Sequence, residues 1–458
     1  MRFLLILIFI TCCNLFIAHA QPSFSFIPFK DDSLQLDIFK KNVKEKYLQD
    51  SASLMGENRK YTLKIFRDRF NYINEMFAGK EFIYNAETNA YLMSLVNEIL
   101  KTNPVLQKQG TRYLFSRAYW PNAFSTGEGT IVFNIGLFKK LDNESQAAFV
   151  LCHELSHLYL KHSNNAIDHY INTLYSKDFQ TKLKEIKKQA YEKNKELDKL
   201  EKGIVFSGRR HGREHEAEAD SMALLFMKNT GFNVRESLTC LALLDSIDKD
   251  NYNTEQGLPL LFNFPEYTFQ NKWIKKEGAF FGVSAENKIT GKEEDSLKTH
   301  PDCKIRIAIL TPSIEKLKDN AAKTFAVNVK EFNNLKQQFE FEIINYCYKS
   351  NRVSRCLYEA MQLYNKYPDN AYITTMIGKS LNLMYSNQKN HTLNKIVSLP
   401  SPMGEKNYNT LLEFIQKISL RDIGAISYFF LKQYESKFTG DKEFAATFNQ
   451  SRINIKSN

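Results

Sequence analysis

Cysteine is scarce in this chain, with seven in 458 residues. Cys12 and Cys13 fall in the first twenty residues, which leaves Cys152, Cys240, Cys303, Cys347 and Cys356, an odd set too sparse for a disulfide framework. Within that set, Cys347 and Cys356 are placed to bridge two neighbouring helices in an oxidising compartment. Cys152, between Leu151 and His153, offers a nucleophile by position but reads rather as a small packing residue. Long apolar runs are missing after residue 20, so no later segment is suited to crossing a bilayer. A basic block is missing too. The net charge of +11 is spread over Lys interleaved with Glu, which reads as a solvated surface with weak attraction to anionic partners or a membrane periphery. With no nucleic-acid-binding motif, nucleic acid is not an expected partner.

What is present fits a globular protein: 43% hydrophobic and 25% charged residues. Its length predicts two or three domains. Residues 1–20 stand apart. Arg2 precedes an apolar run from Phe3, and Ala18-His19-Ala20 closes it, the pattern of a secretory signal peptide cut after Ala20, with an uncleaved signal anchor as the alternative. The mature chain is therefore expected to be exported, periplasmic or extracellular.

Residues 21–60 mix Pro, Phe and charge without sustained periodicity and read as an extended lead-in followed by a short helix. Helical spacing follows over 62–78 and 87–102. The period then changes. Tyr113–Trp120 and Thr130–Asn134 are rich in aromatic and β-branched residues, with turn residues between them, and predict a small antiparallel sheet. An exposed edge of such a sheet can hold an extended peptide by backbone pairing. Residues 176–202, dominated by Lys and Glu, read as a long solvated helix. Residues 250–299, with Trp273, Phe280 and Phe281, are long for a connection and read as either a lid or a surface insertion. From about Phe325, segments 335–349, 352–366, 371–386, 407–419 and 422–437 have the pattern of consecutive amphipathic helices resembling tetratricopeptide repeats, suited to binding protein segments. The expected fold is α+β and predominantly α, divided into the lead-in, a core domain over 61–325 and a helical-repeat domain over 326–458.

The chemistry concentrates in Val150–Leu160. His153 and His157 are one helical turn apart and project from one face, so both can reach one metal ion. Glu154 lies beside them, where it can reach a metal-bound water. This is the His-Glu-x-x-His pattern of zinc hydrolases. A catalytic zinc needs a third protein ligand, and a second helix carries three carboxylates able to supply it: Glu214, Glu216 and Glu218, followed by Asp220.

The two helices together resemble the zinc metallopeptidase family that includes the type 1 CaaX prenyl protease, HtpX and the BepA-type periplasmic proteases. The resemblance implies a helical zincin-type domain holding one Zn²⁺ per chain through His153, His157 and Glu216, with Asp220 orienting a ligand imidazole. Asn122-Ala123-Phe124 and Ile135-Gly136-Leu137 resemble that family's edge-strand segment. Thr299-His300-Pro301 and Arg306 resemble its His-Pro and Arg element. That likeness implies that His300 and Arg306 lie beside the open metal position and stabilise an oxyanion, or that His300 closes the site as a fourth ligand. The implied activity is peptide hydrolysis with Glu154 as general base and acid, acting on unfolded or misassembled envelope proteins. The membrane spans of some family members are absent, which argues against prenyl-protein processing. The alternative is a chaperone-like assembly factor that uses the helical repeats and carries a latent peptidase site.

Overall fold

A four-stranded sheet, in the order β1-β2-β4-β3, occupies the centre of the N-terminal half. Its strands are β1 (Phe82–Ile83), β2 (Arg112–Ser116), β3 (Ala123–Ser125) and β4 (Thr130–Asn134). The computed structural model describes residues 24–56, 58–188, 212–247, 249, 252–274, 303–317, 322–401 and 404–457. The expected signal peptide, His300, Phe280, Phe281 and most of the charged stretch after residue 188 lie outside them.

The sheet is mixed, not antiparallel as expected. β1–β2 and β3–β4 are antiparallel, but β2 and β4 run parallel, from Arg112 opposite Thr130 to Ser116 opposite Asn134. The chain leaves β2, returns as the outer strand β3, and reverses again so that β4 slots between the two. Gly127 and Gly129 make that last reversal at φ of 68° and 104°, where a side chain would be strained. Alternation along the strands reports which face is buried and says nothing about strand direction, so the parallel pair was invisible in the pattern.

Both faces of the sheet are covered. Phe115, Ile131 and Phe133 join the main core, while Leu114 and Val132, one residue out of phase, join a second cluster with Phe39, Val43, Ile73 and Met76. That second layer is made by α1 (Ser33–Ser53) and α2 (Arg59–Ala78). The lead-in is thus an extended arm and a long helix that roofs the sheet. Each large aliphatic side chain buried there contributes about 1.5–3 kcal/mol.

On the other face lie α3 (Ala86–Thr102) and, beyond the short helices α4 (Pro104–Gln107) and α5 (Ile135–Phe138), the central helix α6 (Glu144–Tyr159). Helix α6 is buried nearly all round, which makes it the axis of this half. Asn143 caps it by accepting from the Gln146 N–H at 3.0 Å. Next come α7 (His162–Leu174) and α8 (Lys177–Lys188), then α9, a helix over 212–227. They are followed by α10 (Glu236–Ser246), α11 (Thr254–Phe262) and α12 (Cys303–Glu315).

The C-terminal helices follow the expected order: α13 (Val329–Lys349), α14 (Val353–Lys366), α15 (Ala371–Lys389), α16 (Lys406–Lys417) and α17 (Leu420–Lys432), with a further helix, α18 (Lys442–Lys456). They share one continuous hydrophobic core with the sheet half, from Phe26 to Phe448. Trp273 is fully buried, with its ring 6.2 Å from Phe414 and 5.1 Å from Phe269. The described part of 250–299 therefore docks against the C-terminal helices and is not a lid. All five described cysteines are buried and free, in keeping with a set too sparse for a disulfide framework, and Cys347 and Cys356 are not bridged.

Candidate metal centre

Helix α6 presents His153 and His157 on one face, and α9 brings Glu216 against them. The Nε2 atoms of the two histidines are 3.0 Å apart. Glu216 places Oε2 at 3.5 Å from His153 Nε2 and Oε1 at 3.4 Å from His157 Nε2. A tetrahedral zinc with bonds near 2.05 Å spaces its ligand atoms by about 3.3 Å, so this donor set fits the ion without rearrangement. Of the three carboxylates left open by the sequence, Glu216 joins this cluster. Glu214 is exposed, and Glu218 turns to a different partner.

The charges around the cluster call for a cation. Burial opposes a charge on His153, but Glu216 and Asp220 outweigh it and push its imidazole up to about 10. Burial likewise opposes ionisation of Glu216, yet His153, His157 and Arg306 hold it well below the usual carboxylate range. Two ionised carboxylates against these imidazoles make a pocket in which a divalent ion replaces protons.

Asp220 is fully buried and sits 2.9 Å from His153 Nδ1, in position to fix the ring with Nε2 facing the cluster. Arg306, from α12, is brought to the site. Its Nε and Nη2 donate to Asp220 Oδ2 and Oδ1 at 2.6 and 2.7 Å, and its Nη1 lies 3.1 Å from Glu216 Oε2. Nε and Nη2 are engaged by Asp220, whose carboxylate they orient, while Nη1 is buried beside Glu216 and makes no hydrogen bond.

Glu154, one residue after His153, is buried beside strand β3 and faces the backbone amide of Ser125. Burial pushes its carboxyl above the ordinary range; the nearby imidazoles oppose that shift and Glu216 adds to it. A raised carboxyl suits a group that must take and return a proton near neutral pH. Among the described residues β3 is the outer strand of the sheet, and Glu154 meets its backbone at Ser125. Cys152, adjacent to His153, is fully buried, and burial pushes its thiol far up, so it packs and does not react.

A second cluster was missed in the sequence: His162 from the start of α7, with His215 and Glu218 from α9. His162 Nδ1 is 3.0 Å from His157 Nδ1, and its Nε2 is 3.1 Å from Glu218 Oε2. Burial and the neighbouring His157 and His215 rings hold His162 down at about 4, so it is neutral at ordinary pH. The available signal was a His just past the end of the metal helix together with a His among the acidic residues of 214–218.

The family model that matches the chain covers residues 86–313 and spans α3 through most of α12. Residues 86–313 are a Peptidase family M48 domain. The chain is also similar to a protein named beta-barrel assembly-enhancing protease from Yersinia pestis, 31% identical over 97 residues. That stretch is 21% of this chain and 20% of the relative, so the chain matches about a fifth of the relative's length. The matched segment contains every residue of the centre described above. Among the described residues, no helix is long and apolar enough to cross a membrane.

Proposed function

We propose that the protein is an exported zinc-dependent metalloendopeptidase, with His153, His157 and Glu216 holding one zinc ion and Glu154 as general base and acid. The observation that carries this reading is the convergence of the two Nε2 atoms and the Glu216 carboxylate within 3.0–3.5 Å, with Glu154 alongside. Zinc bound there would supply a Lewis acid for the scissile carbonyl and lower the pKa of water.

The chain's own groups supply the remaining parts of the reaction. Glu154 takes the proton of the attacking water and returns it to the amine nitrogen as the C–N bond breaks, leaving a carboxylic acid and an amine. Asp220 holds His153 in register, and Arg306 holds Asp220 and Glu216. The free edge of β3 offers backbone groups to an extended peptide, which would lay its carbonyl beside Glu154. His300 keeps its two assignments, as a donor near the open position or as a fourth ligand.

The name of the Yersinia pestis relative, a protease that enhances beta-barrel assembly, supports protein substrates that include assembling β-barrels. The leader-like residues 1–20 support export. The C-terminal helices, packed on the peptidase half, supply a surface for unfolded substrates in this reading. The test is degradation of an unfolded protein by the purified chain, compared with Glu154→Gln. Cleavage lost with zinc retained supports the enzyme. Zinc-loaded protein that cleaves nothing, yet suppresses aggregation of the same substrate, supports the chaperone-like alternative.

A further inference from the structure

The metal ligand His157 has two ring nitrogens, and both are accounted for. Nε2 faces His153 and Glu216, while Nδ1 faces His162 Nδ1 at 3.0 Å. An imidazole that gives Nε2 to a cation keeps its proton on Nδ1 and needs an acceptor there. His162 can accept only if its own Nδ1 is bare, which puts its proton on Nε2. That nitrogen lies 3.1 Å from Glu218 Oε2, so this proton also has an acceptor.

The chain is shaped to place that ring. Lys161 adopts a left-handed conformation at φ 56°, uncommon for a residue with a side chain, and turns the backbone sharply between α6 and α7. His162 therefore folds back against the metal helix and is 4% exposed. The other ligand is supported in the same manner, since His153 Nδ1 meets Asp220 at 2.9 Å.

We propose that His162 is a positioning residue for His157, and that with Glu218 it forms a hydrogen-bonded chain that fixes the tautomer and aim of the ligand ring. The inference rests on the assignment of His157 as a zinc ligand. A second ion held by His162, His215 and Glu218 is the competing arrangement, because their ligand atoms lie within 4.8 Å of one another. The geometry argues against it. The His162 and His215 rings are stacked, 4.2 Å apart and 11° from parallel, so their in-plane lone pairs run side by side and do not converge on a common ion.

The test measures zinc affinity of the full chain by chelator competition, for wild type, His162→Phe and His162→Asn. Phenylalanine fills the space without an acceptor, whereas the Asn carbonyl stands where Nδ1 was. The expected result is a 10–100-fold weaker affinity for His162→Phe and recovery of most of it in His162→Asn. In the zinc-loaded wild type, ¹⁵N shifts should show His162 neutral with its proton on Nε2. Equal affinity in all three proteins overturns the proposal, as does equal weakening in both variants or a His162 proton on Nδ1. Two zinc ions per wild-type chain, falling to one in His162→Phe, overturns it in favour of the second ion. Absence of zinc from the wild type overturns the assignment of the main centre itself, so the two failures are distinguishable.

Discussion

At the scale of single residues, the helix period decided what could be read. His153, Glu154 and His157 were legible because four-residue spacing fixes a shared helix face whatever the tertiary structure. Glu216 was one of three carboxylates until the family resemblance chose it, and the packing of α9 on α6 gives the same choice. Arg306 was anticipated at the site but its grip on Asp220 was not, because which acid a guanidinium grips is decided by contacts between helices far apart in the chain. Glu154→Gln is expected to lower peptide hydrolysis by at least about 100-fold while zinc content stays at the wild-type level, read by parallel activity and metal assays. Asp220→Asn removes the charge that holds both His153 and Arg306. Its zinc affinity is expected to fall by about 10–100-fold. An affinity within twofold of wild type would show that Asp220 does not orient the ligand.

At the scale of elements, helices with one strongly apolar face were legible and the sheet's connectivity was not. α3 buries Tyr91, Leu92, Leu95, Val96 and Ile99 at helical spacing, whereas α1 buries only Phe39 and Val43 along its 21 residues. So sparse a stripe hides a long helix in a sequence that looks like a tail. The turn from β4 into α5 holds a tight approach. A Cβ on Gly136 would stand 2.0 Å from the Tyr119 carbonyl oxygen, closer than any real contact. Gly136→Ala is therefore expected to destabilise the protein by about 1–3 kcal/mol or more, measured by denaturant unfolding. A second effect concerns acid. Burial opposes ionisation of Glu359, but Lys139 and Arg355 hold its carboxyl below the usual range, with Lys139 Nζ 3.0 Å away. A depressed folded pKa gives stability that is full above the ordinary carboxylate pKa and is lost as pH falls through the lower folded value. Glu359→Gln should be less stable than wild type at neutral pH, and the gap should narrow as pH falls through that acid range.

At the scale of the whole molecule, the peptidase half and the C-terminal helices are tied by polar links as well as by a common core. Buried Arg117, just after β2, donates to Glu342 of α13 at 2.6 Å and lies 3.0 Å from Asp31 in the N-terminal arm. Glu144, at the start of α6, accepts from the Tyr91 hydroxyl at 2.8 Å and from the Val327 and Asn328 amides at 2.6 and 2.7 Å. The sequence showed the C-terminal helices but not this union, because the partners are separated by up to 225 residues. Arg117→Ala leaves Glu342 buried without its cation, and a loss of about 3–5 kcal/mol is expected in equilibrium unfolding. A chain ending at residue 325 should show no cooperative thermal transition, whereas a sharp one would show that the peptidase half folds alone. The central claim remains the three-residue metal centre. Its most direct measurement is a titration of metal-free full-length chain with zinc, alongside Glu216→Ala and Glu154→Gln. One zinc per chain in the wild type and in Glu154→Gln, with severe weakening in Glu216→Ala, is the predicted result. Zinc binding that is absent from the wild type, or unchanged in Glu216→Ala, would contradict it.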